Sequence, residues 1–509
     1  MEGHAARMVI DPVFTVAEAD ERIFGSFVEH MGRAVYGGIY EPGHRTADEH
    51  GFRGDVIELT RELGVTVVRY PGGNFVSAYD WEDGVGPREQ RPTRLDLAWR
   101  SIEPNEVGTD EFMVWARATG IEPMLAVNLG TRGIDAARNY VEYCNSPVGS
   151  FYADQRAANG HADPYGVRLW CLGNEMDGPW QVGQKTAVEY GRLAAEAGKA
   201  MRLVDPSIEL CVVGSSNTAM PTFGAWEDTV LDLAWDVADN ISLHTYYDPA
   251  GYETVDGYLG ASLDLDRMID TVVATADAVA GRRRSRKKIG LSVDEWNIWH
   301  QQANPHHTDV TGPFKRAPAL AEDDHTVADA LVVGSLLITL LRHADRVKVG
   351  CLAQLVNVIP PIRTLDGGPA WRQTSFFPFA HASRLGRGTV LRVEPDAPNY
   401  DVPGEGPVPV LEATAVLGEE GVTVFAVNRG AESLGLEVVL RELHGVSVAE
   451  HLVLVDEDLA AGNSAEQPDR VTPSQGTGAA VDGGVLHATL APRSWNVLRL
   501  AGGVLGAAA

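Results

Sequence analysis

Cysteine is scarce. Four in 509 residues, at Cys144, Cys171, Cys211 and Cys351, are too few and too scattered for a disulfide framework, and no Cys-x-x-Cys pair is present to hold zinc or run thiol exchange. Buried free thiols are expected instead. No run of 18 or more apolar residues occurs, which excludes a membrane-spanning helix. Residues 1–10 hold no apolar core of signal-peptide length, so a cytoplasmic protein is expected. Positive charge is also in short supply: 42 Lys and Arg against 70 Asp and Glu give a net charge of −28, which argues against binding nucleic acid or anionic membranes and suits a neutral substrate.

The length suits a large domain of roughly 250 to 400 residues with a second of about 100. Strand-like runs alternate with helical periodicity from Ile23 onward. The eight strand candidates begin at Ile23, Val65, Glu122, Trp170, Ile208, Ile241, Ile289 and Val347. The helical patterns include Gly51 to Leu63, Val188 to Val204, Leu263 to Val279 and His325 to Leu341. Eight strands alternating with helices predict a parallel (β/α)₈ barrel of the α/β class. A doubly wound open sheet is the rival, but no Gly-rich dinucleotide fingerprint follows the first strand. After Leu385 short alternating segments take over, such as Val408 to Val416 and Gly421 to Asn428, separated by Gly, Pro and Asp. They predict an all-β sandwich, jelly-roll-like, with 468–484 as an exposed loop. The expected division is a barrel over 21–384 and a sandwich over 385–509.

Two runs carry the chemistry. Trp170-Cys171-Leu172-Gly173-Asn174-Glu175-Met176-Asp177 and Ile289-Gly290-Leu291-Ser292-Val293-Asp294-Glu295-Trp296-Asn297 are buried-strand sequences that each end in a glutamate flanked by amide and aromatic groups. Glutamates at the C-terminal tips of two strands in one barrel are placed to work together. Either one alone could be a strand-end ion pair or a helix cap. As a pair, with their pKa values pushed apart, they suit glycoside hydrolysis.

Gly173-Asn174-Glu175-Met176-Asp177-Gly178-Pro179-Trp180 and Asp294-Glu295-Trp296-Asn297 resemble the acid/base and nucleophile signatures of the α-L-arabinofuranosidases of glycoside hydrolase family 51. Supporting motifs run from about residue 9 to residue 500. The resemblance implies that residues 1–20 form strands joining the C-terminal sandwich. It implies Glu175 as general acid/base and Glu295 as nucleophile, with retention of configuration and carboxyl groups about 5 to 5.5 Å apart. It also implies Glu29, Asn74, Asn174 and Gln354 as a sugar-binding set, no metal, no cofactor, and a homohexamer.

Around the pair, Arg69 is placed to hold Glu295 ionised or to make a structural ion pair. His244 and Tyr246, two apart on a strand, face the same side. Tyr246 would orient the nucleophile and His244 would tune the acid, unless His244 is a satisfied core histidine. For Glu29 and Asn74 the alternative is loop capping. Trp99, Trp180 and Trp299 lie in loops after strands two, four and seven, where an indole can cover a sugar face or pack under its own loop. The basic run Arg282 to Lys288 reads as a solvated connection. His300, His306, His307 and His325, in or beside the loop after strand seven, show no zinc-helix spacing.

The expected activity is that of a retaining, exo-acting α-L-arabinofuranosidase releasing terminal residues from arabinan, arabinoxylan fragments or arabino-oligosaccharides. β-Xylosidase or endoglucanase activity is the rival within enzymes, and a catalytically silent sugar-binding protein the rival outside them.

Overall fold

The computed structural model describes residues 5–303, 312–502 and 504–505. Eight parallel strands close into one barrel: β1 (Gly25–Phe27), β2 (Val67–Tyr70), β3 (Glu122–Ala126), β4 (Leu169–Cys171), β5 (Glu209–Val212), β6 (Asn240–Tyr247), β7 (Gly290–Ile298) and β8 (Val347–Ala353). Closure joins β8 to β1, pairing Cys351 with Gly25. A Cβ at Gly25 would lie 2.5 Å from Val67 and 2.7 Å from the Gly350 carbonyl, so only glycine lets the seam close this tightly. Phe27, Val67, Met124, Ala126, Leu169, Cys171, Cys211, Val349 and Cys351 fill the interior as a packed plug. All four cysteines are buried and free.

The first strand is shorter than its apolar run. Glu21–Phe24 forms a 3₁₀ turn capped by Asp20, and the strand ends at Phe27, leaving Glu29 in the loop beyond it. Helices follow the predicted periodicity at Gly54–Leu63, Ala187–Val204, Ser262–Arg282 and Val327–Arg342. Val327–Arg342 is buried from Val327 to Leu341, which explains why it reads as apolar all round. Among the described residues no helix is long and apolar enough to cross a membrane.

Two sheets make the sandwich. One orders Ala5–Ile10, Leu434–Leu440, Val485–Leu490 and Ala480–Asp482. The other orders Thr15–Glu18, Thr389–Leu391, Leu411–Gly418, Gly421–Asn428, Ser494–Ala501, Ser447–Leu454 and Ser474–Gln475. Met8, Ile10, Leu436 and Leu486 from the first meet Ala413, Val424 and Leu498 from the second in one core. The second sheet turns its other face to the barrel, where Trp495 packs on Gly334 of helix Val327–Arg342 so closely that a Cβ there would sit 2.6 Å from the indole. A strand covered on both faces reads as an unbroken apolar run, as in Val424 to Val427.

Two expectations need correction. Val408 to Val416 is not one strand: Gly406–Pro409 pairs with Asn399–Val402 as a separate hairpin, and a new strand starts at Leu411. Pro409, with no N–H to donate, marks the break. Residues 468–484 are not all loop, since Ser474–Gln475 and Ala480–Asp482 pair at sheet edges.

Candidate active site

The C-terminal ends of the barrel strands converge on a cluster of buried charge. Past β4 the backbone enters the left-handed region at Gly173 (φ +97°) and again at Glu175 (φ +43°). A non-glycine residue there costs on the order of 1 kcal/mol, and the turn aims the Glu175 carboxyl back over the barrel mouth. Asp177 fixes the turn by accepting hydrogen bonds from the Ser216 backbone N–H, at 3.1 Å, and from its hydroxyl.

Strand β7 delivers two acids in succession. Ser242 of β6 pairs with Ser292 of β7, yet two residues later His244 pairs with Glu295, so β7 holds an extra residue in a bulge. The ladder to β8 is also shifted between Val293 and Trp296. A bulge resets the in/out alternation, so Asp294 and Glu295 both face inward.

The side chains form a continuous network. Arg69 from β2 donates to Glu295 Oε1 at 2.6 Å and to Asn174 Oδ1 at 2.7 Å. Its Nε lies 3.6 Å from Asp294, and the Phe27 ring packs on the guanidinium with its centroid 4.9 Å away. Tyr246 donates to Glu295 Oε2 at 2.8 Å. His244 Nδ1 lies 2.9 Å from Glu175 Oε1 and 3.7 Å from Glu295 Oε2, while Nε2 lies 3.0 Å from Asp294. Trp180, half exposed, donates its indole N–H to Glu175 Oε2 at 2.6 Å. Glu175, His244 and Glu295 bring one ligand atom each within 4.8 Å of one another.

The electrostatics separate the groups. Burial pushes the Glu175 carboxyl up, reinforced by the Glu295 charge and opposed by the His244 hydrogen bond. Burial works to lower His244, but the Glu295 charge and the bonds to Asp294 and Glu175 outweigh it and hold the imidazolium up to about 10. Burial acts to raise Asp294, yet the Arg69 charge and the His244 hydrogen bond bring it below the usual carboxylate range. Both His244 nitrogens are committed to carboxylates, so no imidazole lone pair is left over as a metal ligand.

The sugar-binding candidates gather at the same mouth. Glu29 accepts from the Phe75 backbone N–H at 2.9 Å, from the Trp99 indole at 2.8 Å and from Gln354 at 3.3 Å. Burial, with the Glu295 charge, pushes its carboxyl up to about 8. Asn74 opens a short 3₁₀ turn and accepts from Asn174 at 3.1 Å. Trp299 meets the Tyr246 ring edge-on, with centroids 5.2 Å apart.

Of the histidines after β7, His300 and His325 lie side by side, with ring centroids 6.3 Å apart. His300 pairs with Asp329 at 3.3 Å, and His325 hydrogen-bonds Ser375 at 2.7 Å. His306 and His307 lie outside the described residues. The basic connection before β7 is largely exposed, with Arg282 meeting Asp228 and Lys287 donating to the Trp235 carbonyl.

Asp294 is the site residue that sequence reasoning passed over. It sits inside the quoted motif, but alternation along a strand assigns consecutive residues to opposite faces. A strand-tip acid next to a second acid was the available signal.

Paired carboxylates at the C-terminal mouth of a (β/α)₈ barrel define the class as a barrel glycosidase. The family model for the α-L-arabinofuranosidase C-terminal domain matches residues 294–494, and that for the α-L-arabinofuranosidase 1 domain matches 59–262. The chain is 56% identical to an intracellular exo-α-(1→5)-L-arabinofuranosidase of Halalkalibacterium halodurans, covering 97% of this chain and 99% of that one. It is 53% identical to one of the same description from Bacillus subtilis, over 97% and 99%. A solved family 51 α-L-arabinofuranosidase from Bifidobacterium longum superposes with a TM-score of 0.92 at 44% identity, over 97% of this chain and 99% of that one. The chain belongs to the α-L-arabinofuranosidases of glycoside hydrolase family 51.

Proposed function

We infer that the protein is an exo-acting α-L-arabinofuranosidase that works inside the cell and removes terminal non-reducing arabinofuranosyl residues, α-(1→5)-linked ones among them, from arabino-oligosaccharides and fragments of arabinan or arabinoxylan. The observation that carries the mechanism is the Glu175–His244–Glu295 cluster, whose reactive atoms lie within 4.8 Å of one another. That closeness favours a retaining pair, with carboxyl groups roughly 5 to 5.5 Å apart, over an inverting one at about 6.5 to 9.5 Å.

Glu175, its carboxyl raised by burial, gives its proton to the departing glycosidic oxygen. Glu295, oriented by Arg69 and Tyr246, attacks the anomeric carbon as the C–O bond breaks, forming a glycosyl-enzyme. Glu175, now a carboxylate, takes a proton from water, whose oxygen displaces Glu295 and regenerates the acid. Glu29, Asn74, Asn174 and Gln354 supply directional hydrogen bonds to the furanose hydroxyls, while Trp99, Trp180 and Trp299 flank the ring.

The domain division belongs to the same proposal: residues 1–20 and 385–509 make one unit and 21–384 the catalytic barrel. Six copies assemble, as the family resemblance implies. With a net charge of −28, neither nucleic acid nor membrane is a partner. Rates on p-nitrophenyl α-L-arabinofuranoside, β-D-xyloside and β-D-glucoside test the substrate: the arabinoside is expected to be clearly fastest, and any other order removes the assignment. Proton NMR of the first-formed sugar tests retention.

A further inference from the structure

The catalytic scheme uses Glu175, Glu295 and the groups that touch them, but leaves unexplained why the barrel buries a third acid directly beneath. Asp294 is fully buried and away from the mouth. One of its oxygens lies 3.0 Å from His244 Nε2. The other lies 3.6 Å from Arg69 Nε and 3.7 Å from the Cys171 thiol. It therefore contacts one of the residues that hold each catalytic carboxylate: Arg69 for Glu295 and His244 for Glu175. The bulge in β7 is what turns it inward beside Glu295.

We propose that Asp294 is a positioning residue that fixes the His244 ring with its Nε2 proton directed at the Asp294 carboxylate and its Nδ1 turned to Glu175, so that the proton delivered to the leaving group is shared between Glu175 and His244. The argument is one of hydrogen-bond valence. A carboxylate can only accept, so Nε2 facing Asp294 must carry a proton. Nδ1 then either accepts from the Glu175 hydroxyl or, when the ring is charged, donates to the Glu175 carboxylate. Both descriptions place a single proton between the same two atoms, 2.9 Å apart.

Charge accounting supports this. Asp294, Glu295 and Glu175 set three negative charges against Arg69 and the one shared proton, so the buried cluster already carries one excess negative charge and taking that proton away would leave it with two. The depressed carboxyl of Asp294 and the raised imidazolium of His244 agree with that accounting. An amide at position 294 removes the obligatory acceptor and permits the other tautomer, as in hydrolytic triads where the carboxylate behind the histidine is replaced by an amide.

The proposal rests on Glu175 as the acid, so the test includes Glu175→Ala. In Asp294→Asn, kcat for methyl α-L-arabinofuranoside is expected to fall at least about 10-fold more than kcat for the p-nitrophenyl arabinoside, because the poorer leaving group needs the proton more. The alkaline limb of the pH–kcat/KM profile is expected to move down by about one unit or more, since a negative charge has left the cluster. Equal losses on both substrates with an unmoved profile would overturn the role, as would unchanged activity. If Glu175→Ala itself fails to discriminate between leaving groups, the parent reading falls and this one with it. If Glu175→Ala discriminates and Asp294→Asn does not, only the role of Asp294 falls. Should Asp294→Asn not fold, ¹⁵N NMR of histidine-labelled wild type decides, with the His244 signals assigned by their loss in His244→Asn: Nε2 protonated throughout pH 5 to 8 is the expected result, and an unprotonated Nε2 overturns the proposal.

Discussion

The two rims of the barrel use the same guanidinium–carboxylate chemistry to different ends. At the N-terminal rim, Arg22 grips Glu122 through two bonds of 2.7 Å each and reaches Glu209 at 3.1 Å. The Glu122 side chain stays 30% exposed. At the C-terminal rim, Arg69 gives Glu295 a single bond of 2.6 Å and spends another donor on Asn174, and the Glu295 side chain is 7% exposed. At the lower rim Arg22 is shared between two carboxylates in a half-buried setting, which makes it a clasp between the starts of β3 and β5. The upper carboxylate is held at one oxygen by a cation and at the other by a neutral phenol in a desolvated setting, where each interaction is stronger. An arginine–glutamate pair reads alike in sequence; burial and the division of donors tell a clasp from a reactive site.

The sharpest way to break the comparison is to remove one carboxylate from the upper rim. Glu295→Ala is expected to lower kcat by on the order of 10⁵-fold or more. Added azide should partly restore p-nitrophenol release and give an arabinosyl azide of inverted configuration, which NMR identifies. Next in size is Arg69→Ala, which strands Glu295 and Asp294 without their cation. Activity should drop by about 10²- to 10³-fold, and chemical denaturation should show a loss of about 3 to 5 kcal/mol.

A smaller effect separates the rims by pH, because the upper one contains a titrating cation and the lower one only arginine. His244 is held up to about 10 in the folded chain against about 6.5 unfolded. The native state therefore keeps a proton that the unfolded chain releases, so its contribution is complete below about pH 6.5 and fades as pH rises toward 10. Thermal melts across pH 6.5 to 10 should fall less steeply for His244→Asn than for wild type. Smallest is Arg22→Ala, with a stability loss of about 1 kcal/mol or less and an unchanged kcat/KM for the arabinoside.

Much of this architecture was legible in the chain. The barrel strands were read from apolar runs, several of them β-branched, with helical periods found between some of them, and the two glutamates stood near the ends of two such runs. His244 and Tyr246 share a face because strand geometry has a period of two, which needs no knowledge of neighbours. The edges were harder to read. Pro409 split what looked like one strand, and two short edge strands hid within 468–484, where residues are chosen for turns and edges rather than for a core. Asp294 was hidden by the same rule of two that exposed His244, because a bulge depends on the register of β6 and β8 against β7 and leaves no mark in β7 alone.

By itself the sequence determined what is local: many of the strands and helices, the amide-flanked glutamates near the ends of two strands, and a surface charge unsuited to polyanions. Tertiary structure decided what each charge is worth. Only closure of the barrel brings Arg69 onto Glu295 across 226 residues of chain and sets His244 between Glu175 and Asp294. The reason is physical: a carboxyl's affinity for its proton depends on the water it has lost and the charges it faces, and neither exists until the strands have come together.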